Sequence, residues 1–134
     1  MRVLVALALL CVCLCDIVAL THDNIQETMN TEPSCFIRFS SAGCRHVKVS
    51  EYAFGELDKA LAESHPDVPV YDYCCDDNVA FCLSKVTPRV GGYPAFYHFR
   101  DGVTQTIFKD LMTRSRLLTW AENALAQPTQ PLDL

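Results

Sequence analysis

The sequence predicts an α/β domain in which a central mixed β-sheet carries helices on both faces. The first observation is that short apolar runs alternate with stretches of helical spacing, in the order β-α-β-α-β-α-β-β-α. The second is composition. The chain has 134 residues, of which 50% are hydrophobic and 20% are charged, a globular profile with enough residues for one domain of ordinary size.

Five strands and four helices account for this order. Short apolar runs predict strands over residues 16–21, 35–40, 68–75, 95–99 and 103–108. Helical patterns predict helices over residues 23–29, 45–64 and 76–85, and from Ser115 onwards. Candidate caps are Thr21 or Asp23, Asp76 or Asp77, and Ser115. Residues 100–102, Arg-Asp-Gly, predict the turn of a hairpin between the last two strands.

The stretch from residue 45 to residue 64 carries the longest helical pattern. Its apolar residues recur at the spacing of one helical face: Val49, Ala53, Leu57, Ala60 and Leu61. The dipeptide His65-Pro66 ends the pattern, because the residue before a proline avoids helical backbone.

The first fifteen residues predict a secretory signal peptide. Arg2 supplies the initial positive charge, and residues 3–15 form an apolar run that ends at Asp16. A run of this length is too short to span a bilayer comfortably but suits the core of a signal peptide. Cys13 and Cys15 are small enough for the recognition positions, so we expect cleavage before Asp16, with an uncleaved anchor as the alternative.

The rest of the chain is expected to form one domain over residues 16–126 and a flexible tail over residues 127–134. The net charge is −5 and no run of Lys or Arg occurs, which argues against nucleic acid or an anionic membrane as a partner. No second apolar stretch approaches spanning length, so no membrane association is expected after signal cleavage.

Signal cleavage would leave five cysteines: Cys35, Cys44, Cys74, Cys75 and Cys82. Some should pair in an oxidising compartment, and an odd number leaves at least one free or joined to another molecule. Cys35 begins the strand that leads to Cys44. About eight residues at ~3.3 Å each separate the two cysteines, a distance too long for a disulfide. Cys35 is therefore expected to lie in the core or to serve as a thiol for a partner protein.

The element order, with Cys44 at the start of a helix directly after a buried strand, resembles the thioredoxin fold, and the local sequence resembles a domain of the protein disulfide isomerase family. Four segments carry the resemblance: residues 17–24 (IVALTHDN), 36–39 (FIRF), 92–94 (GYP) and 99–102 (FRDG). It extends from about residue 17 to residue 126.

In that family two cysteines stand as Cys-x-x-Cys at the helix start, and here the stretch is Cys44-Arg45-His46-Val47. The resemblance implies that Cys44 is the catalytic thiol, since a helix N-terminus stabilises a thiolate. Arg45 and His46, if close, would add positive charge. Val47 has no thiol with which to resolve a mixed disulfide, so two activities remain for Cys44. It could shuffle the disulfides of a bound substrate protein, a client, whose own thiol then releases Cys44. Alternatively, it could hold the client covalently.

The resemblance also implies partners and a binding groove. The bond before Pro94 is cis in the family, and Tyr93-Pro94 would pair with an extended segment of an unfolded or partly oxidised secretory protein. Localisation in the endoplasmic reticulum lumen follows only from the resemblance, because the last four residues, Pro131 to Leu134, do not form a retention signal. Secretion is the alternative.

For the remaining cysteines, the resemblance implies a structural disulfide between Cys75 and Cys82, with a redox pair as the alternative. Adjacent Cys74 points to the opposite face of its strand, and a bridge from Cys74 to Cys44 would make an unconventional two-cysteine oxidoreductase. No cofactor is expected. The cysteines, with His46 or His98, lack the paired spacing of zinc ligands.

Three positions depart from the family pattern. Gly43 replaces the aromatic residue before the first cysteine, Arg38 replaces the buried acid beneath the site, and Tyr52 replaces the proline that kinks the helix. An arginine in a central strand is costly without a partner, so Arg38 is expected to be paired or to reach the surface. These departures favour the alternative of a redox-inactive binding module.

Overall fold

The computed structural model describes residues 17–86 and 92–129. The predicted signal peptide, residues 1–15, and residues 130–134 of the predicted tail lie outside this part of the chain. In chain order the elements are β1 (Val18–Leu20), α1 (Ile25–Thr31), β2 (Cys35–Ser40), α2 (Arg45–Ser64), β3 (Val70–Cys74), a 3₁₀ turn (Cys75–Asp77), α3 (Val79–Lys85), β4 (Ala95–Arg100), β5 (Val103–Ile107) and α4 (Arg114–Ala126).

The five strands form one mixed sheet in the spatial order β1-β3-β2-β4-β5. Strands β1, β3 and β2 are parallel, whereas β4 and β5 are antiparallel to their neighbours. The predicted α/β class and mixed sheet are confirmed. Because β2 and β3 are parallel neighbours, their carboxyl ends lie at the same edge of the sheet, and the segments that follow them meet there.

Each face of the sheet carries a separate core. Alternation along β2 directs Cys35, Ile37 and Phe39 toward the face covered by α1 and α3. Phe36 faces the other way, where α2 and α4 pack through a shared set of apolar residues: Ala53, Phe54, Leu57, Leu61, Leu117, Ala121 and Ala124. Both cores contain T-shaped aromatic pairs, such as Phe39 with Tyr97 on one face and Phe54 with Phe96 on the other.

The buried face of α2 matches the predicted one at Ala53, Leu57 and Leu61 and differs at the other positions. Val49 is 63% exposed, and the buried residues are Val47, Ser50, Ala53, Phe54, Leu57 and Leu61. Ser50 belongs to this face because its hydroxyl group bonds to the carbonyl of Val47 and to buried Arg38. A stripe that contains a polar residue cannot be located from apolar spacing alone. No helix within the described ranges is both long and apolar enough to cross a membrane.

The predicted helix caps are wrong at all three helix starts. Asn24, not Thr21 or Asp23, is the residue at the N-cap position of α1. Thr113, not Ser115, caps α4 by accepting a hydrogen bond from the Arg116 N–H at 3.2 Å. Asn78, not Asp76 or Asp77, caps α3 by accepting from the Phe81 N–H at 3.1 Å. Three predicted strands are also shorter in the structure: β1, β3 and β5.

Candidate functional site

A tight turn links the end of β2 to the start of α2. The N–H of Cys44 donates to the carbonyl of Ser41 at 3.3 Å, which closes the turn. Gly43, at the third position, has a φ of +77°, as in a type II turn, where glycine is favoured because a side chain would be strained. Gly43 therefore has a local reason to replace the aromatic residue of the family pattern.

Cys44 occupies the N-cap position of α2 as a half-buried free thiol. Its carbonyl accepts hydrogen bonds from the N–H groups of Val47 and Lys48, at 3.2 and 3.4 Å, which begin the helix. Its thiol donates to the carbonyl of Tyr93 at 3.7 Å. The bond between Tyr93 and Pro94 is cis, as the resemblance implied. The structure thus brings together the residues expected to form the site.

The residues that follow Cys44 differ in their exposure. Arg45 and His46 are exposed on the first turn of α2. Val47 is buried, with 9% of its surface exposed. The position that carries the second cysteine in the family is therefore filled by an inward-facing apolar side chain.

Asp76 bonds to the turn that precedes Cys44, a role that sequence reasoning missed. Its carboxylate accepts from the hydroxyl of Ser41 at 3.0 Å and from the N–H of Ala42 at 2.9 Å. The sequence pattern predicts only a helix-capping role there, for Asp76 or Asp77. The contact could have been predicted from the sheet topology. Asp76 follows β3 and Ser41 follows β2, and these parallel strands end at the same edge of the sheet.

Arg38 is 4% exposed and paired, so the expectation that it finds a partner is confirmed. Its Nε and one terminal nitrogen donate to the two carboxylate oxygens of Asp72, at 3.0 and 2.9 Å. The other terminal nitrogen donates to Glu51 at 3.0 Å and to Ser50 at 3.1 Å. The guanidinium also lies over the ring of Phe54, 4.4 Å from its centre.

The charges around Arg38 fix its protonation. Burial alone would lower the pKa of the guanidinium, but hydrogen bonds and charges from Asp72 and Glu51 outweigh it, so the pKa of Arg38 is raised above its ordinary value. The residue that replaces the family's buried acid is thus a permanent cation. It cannot move protons during an exchange reaction.

The other cysteines have distinct environments. Cys75 and Cys82 are buried and joined by a disulfide, with their Cα atoms 5.8 Å apart. Cys74 is a half-buried free thiol, and the structure has no bridge between it and Cys44. Cys35 lies in the core, as predicted, and burial together with the charge of Glu32 raises the pKa of its thiol to about 12.

No group of three His, Cys, Asp or Glu side chains in residues 17–86 and 92–129 is placed to hold a metal ion. The free thiols outside the core in these residues are Cys44 and Cys74.

No family model matches the sequence. The sequence is 29% identical over 124 residues to Protein disulfide-isomerase 1 of Dictyostelium discoideum. This alignment covers 90% of the chain but 33% of the relative, so the chain spans about a third of that protein's length.

Solved structures show the same fold. The zinc-bound form of human ERp44 matches with a TM-score of 0.69 and 20% identity, over 81% of this chain and 31% of that chain. A J-Trx1 fragment of ERdj5 matches with a TM-score of 0.70 and 21% identity, over 83% of this chain and 52% of that chain. At these identities the likeness establishes the fold alone. The chain therefore has a thioredoxin fold, and its sequence is related to that of a protein disulfide-isomerase.

Proposed function

We propose that the chain is a one-cysteine domain of the protein disulfide isomerase family, which binds unfolded or partly oxidised secretory proteins and exchanges their disulfides through Cys44. One observation carries the proposal. A half-buried free thiol stands at the N-terminus of a long helix, in contact with the Tyr93 carbonyl beside Pro94, and a valine occupies position 47.

The proposed reaction is thiol–disulfide exchange. The Cys44 thiolate attacks one sulfur of a client disulfide, a new S–S bond forms between Cys44 and that sulfur, and the other client sulfur leaves as a thiolate. A client thiolate then attacks the mixed disulfide and releases Cys44. The cycle exchanges one disulfide for another, so no external oxidant or reductant is consumed. Because Val47 has no thiol, release depends on the client.

The surroundings of Cys44 suit this reaction. The free N–H groups at the start of α2 favour negative charge on the sulfur, and the exposed side chains of Arg45 and His46 would add positive charge. We propose that Tyr93 and Pro94 align an extended client segment by backbone pairing beside the thiol. In this scheme the disulfide between Cys75 and Cys82 is structural.

The compartment belongs to the same proposal. A predicted signal peptide over residues 1–15 and similarity to a protein disulfide-isomerase support the endoplasmic reticulum lumen, with secretion as the alternative. The disulfide between Cys75 and Cys82 is in keeping with an oxidising environment.

A second candidate is a redox-inactive binding module that uses the same groove. The observation that favours it is the replacement of two functional groups: Arg38 stands where the family has its buried acid, and Val47 stands where it has its second cysteine. Such a module would bind clients at Tyr93 and Pro94 without forming a covalent adduct.

Substitution of Cys44 separates the two candidates. The full-length chain, purified through a secretory host, is incubated with a model protein whose disulfides have been scrambled. Adducts are mapped by mass spectrometry after acid quenching. We expect the wild type and the matched control Cys74→Ser to form an adduct at Cys44 and to accelerate isomerisation, and Cys44→Ser to do neither. Unchanged client binding by Cys44→Ser, with no adduct in the wild type, would support the binding module instead.

A further inference from the structure

We propose that Asp76 is a positioning residue for Cys44, and that the disulfide between Cys75 and Cys82 holds Asp76 in place. Reduction of that disulfide would then lower the reactivity of Cys44. This inference rests on the proposed function, in which Cys44 is the reacting thiol. We call the contact between the carboxylate of Asp76 and the turn residues Ser41 and Ala42 the Asp76 bridge.

The Asp76 bridge acts on the residues that precede Cys44. One carboxylate oxygen binds the side chain of Ser41 and the other binds the backbone of Ala42, so two successive residues of the turn are held by one side chain. A single further hydrogen bond, from the N–H of Cys44 to Ser41, closes the turn. Gly43 lies between Ala42 and Cys44, and a glycine restricts the backbone less than any other residue. The Asp76 bridge therefore supplies a restraint on this turn that Gly43 does not.

The backbone of Asp76 is held by its neighbour. Cys75 is 2% exposed and is linked to Cys82, which is fully buried in α3. The N–H of Asn78 donates to the carbonyl of Cys75 at 3.2 Å, which closes the 3₁₀ turn around Asp76. Helix α3 has seven residues, too few to be stable alone, so packing and the disulfide maintain it.

These contacts form a short physical path from the disulfide to the thiol. The path runs from Cys82 through Cys75 to Asp76, and across the bridge to the turn that ends at Cys44. A dithiol reductant would convert the disulfide to two thiols, taking up two electrons and two protons while itself becoming a disulfide. The 3₁₀ turn would lose its covalent restraint, and Asp76 would no longer hold Ser41 and Ala42.

Loss of the bridge has two measurable consequences. The amide of Ala42 becomes free to exchange with solvent, because Asp76 is its hydrogen-bond acceptor. Cys44 is no longer fixed at the helix N-terminus, so its reaction with a disulfide slows, and a misplacement of about 1 Å is enough to cost roughly tenfold or more in rate.

The experiment uses the full-length chain with Cys74→Ser, which leaves Cys44 as the accessible thiol among the described residues. The rate of reaction with 5,5′-dithiobis(2-nitrobenzoic acid) is followed from about pH 5 to about pH 9. The pH profile separates the effect of Cys44 ionisation on the rate from the effect of Cys44 position. Amide exchange at Ala42 is followed by NMR. The variants are Asp76→Ala, Asp76→Asn and Cys75→Ser/Cys82→Ser. The matched control is Asp77→Ala, an exposed carboxylate in the same 3₁₀ turn.

We expect Asp76→Ala and Cys75→Ser/Cys82→Ser to react about tenfold more slowly across the pH range and to lose protection at Ala42. Asp76→Asn, whose amide can make both hydrogen bonds of the bridge, restores rate and protection, and Asp77→Ala stays at the wild-type level. The effects of Asp76→Ala and of disulfide removal are not additive, because they interrupt one path.

Wild-type rate and protection in Asp76→Ala would overturn the proposal. Equal loss in Asp77→Ala would overturn it as well. Because Asp76→Ala keeps the disulfide, this variant tests the bridge even if removal of the disulfide unfolds the chain. A wild-type Cys44 that does not react with the probe would refute the proposed function, and the exchange of the Ala42 amide would still decide whether the bridge orders the turn.

Discussion

The guanidinium of Arg38 and the carboxylate of Asp72 form two parallel hydrogen bonds, of 3.0 and 2.9 Å, between directly paired positions of β2 and β3. The strand that leads to Cys44 is thereby tied to the strand that leads to Asp76. A cation this deeply buried is tolerated only when its donors are occupied, and here Asp72, Glu51 and Ser50 occupy them.

Replacing Arg38 with methionine should lower the free energy of unfolding by about 3 kcal/mol, because the buried part of Asp72 loses its counter-charge. Glu51 is the matched control. Its side chain is 60% exposed, so Glu51→Gln should cost less than about 1 kcal/mol. The double variant Arg38→Met/Asp72→Val should regain most of the loss. Equilibrium unfolding in guanidinium chloride measures all three, and an equal cost for Glu51→Gln would contradict the assignment.

His98 should make the fold sensitive to acid. The side chain is fully buried, stacks on Phe36 at 4.7 Å and shares a hydrogen bond of 2.9 Å with Ser34. Burial, with a smaller effect of Arg100, lowers the pKa of His98 from 6.5 to about 4. The unfolded chain therefore binds this proton more readily, so the stabilisation is complete above pH 6.5 and is lost as pH falls toward 4.

The expected loss from this one group is about 3 kcal/mol between those limits. Unfolding free energies of wild type and His98→Gln, measured at several pH values, should converge as the pH falls. A constant difference between wild type and His98→Gln would show that His98 does not bind the proton.

Among the three free thiols of the described residues, Cys35 should react with iodoacetamide far more slowly than the other two. Cys35 is fully buried with its pKa raised to about 12, so it should be labelled only at the rate of unfolding, whereas half-buried Cys44 and Cys74 should be labelled in the native state. Mass spectrometry of timed samples, with and without denaturant, reports each site. Native-state labelling of Cys35 at the rate of Cys44 would refute the core position.

Two glycines should respond to alanine in opposite directions. Gly102 has a φ of +81°, and an added Cβ would lie 2.8 Å from Oδ1 and 3.3 Å from Cα of Asn30. Gly102→Ala should therefore cost about 2 kcal/mol. Gly55 lies within α2 with no atom within 4 Å of the added Cβ, so Gly55→Ala should stabilise by about 1 kcal/mol. Thermal and denaturant unfolding test both, and shifts of the same sign would contradict this account.

Much of the fold could be predicted from local pattern. Strand β2 and helix α2 have the predicted bounds, because an apolar run and a long helical repeat are each ended by turn residues. The caps of α3 and α4 could not be ranked in advance, since several polar side chains stood near each start. Which one acts as the cap depends on the local backbone, and Thr113 is the residue with extended backbone before α4.

The site was predictable only in part, for a different reason. Cys44, Tyr93 and Pro94 followed from a resemblance that covers the whole domain. The acidic partners did not, because they are distant in sequence from the groups that they bind. Asp72 lies 34 residues from Arg38, and Asp76 lies 35 residues from Ser41. Arg38 could be predicted to need a counter-charge, but the identity of its partners depends on the pairing of β2 with β3.

The valine at position 47 leaves the first turn of α2 without an internal disulfide. A Cys-x-x-Cys turn changes between an open dithiol and a closed ring, and a bound protein can sense which one is present. Here that ring cannot form, and the buried side chain of Val47 packs in its place. The first turn of α2 therefore has no disulfide of its own to open or close. A redox-dependent change in the surface around Cys44 would have to come from outside this turn, from the disulfide between Cys75 and Cys82.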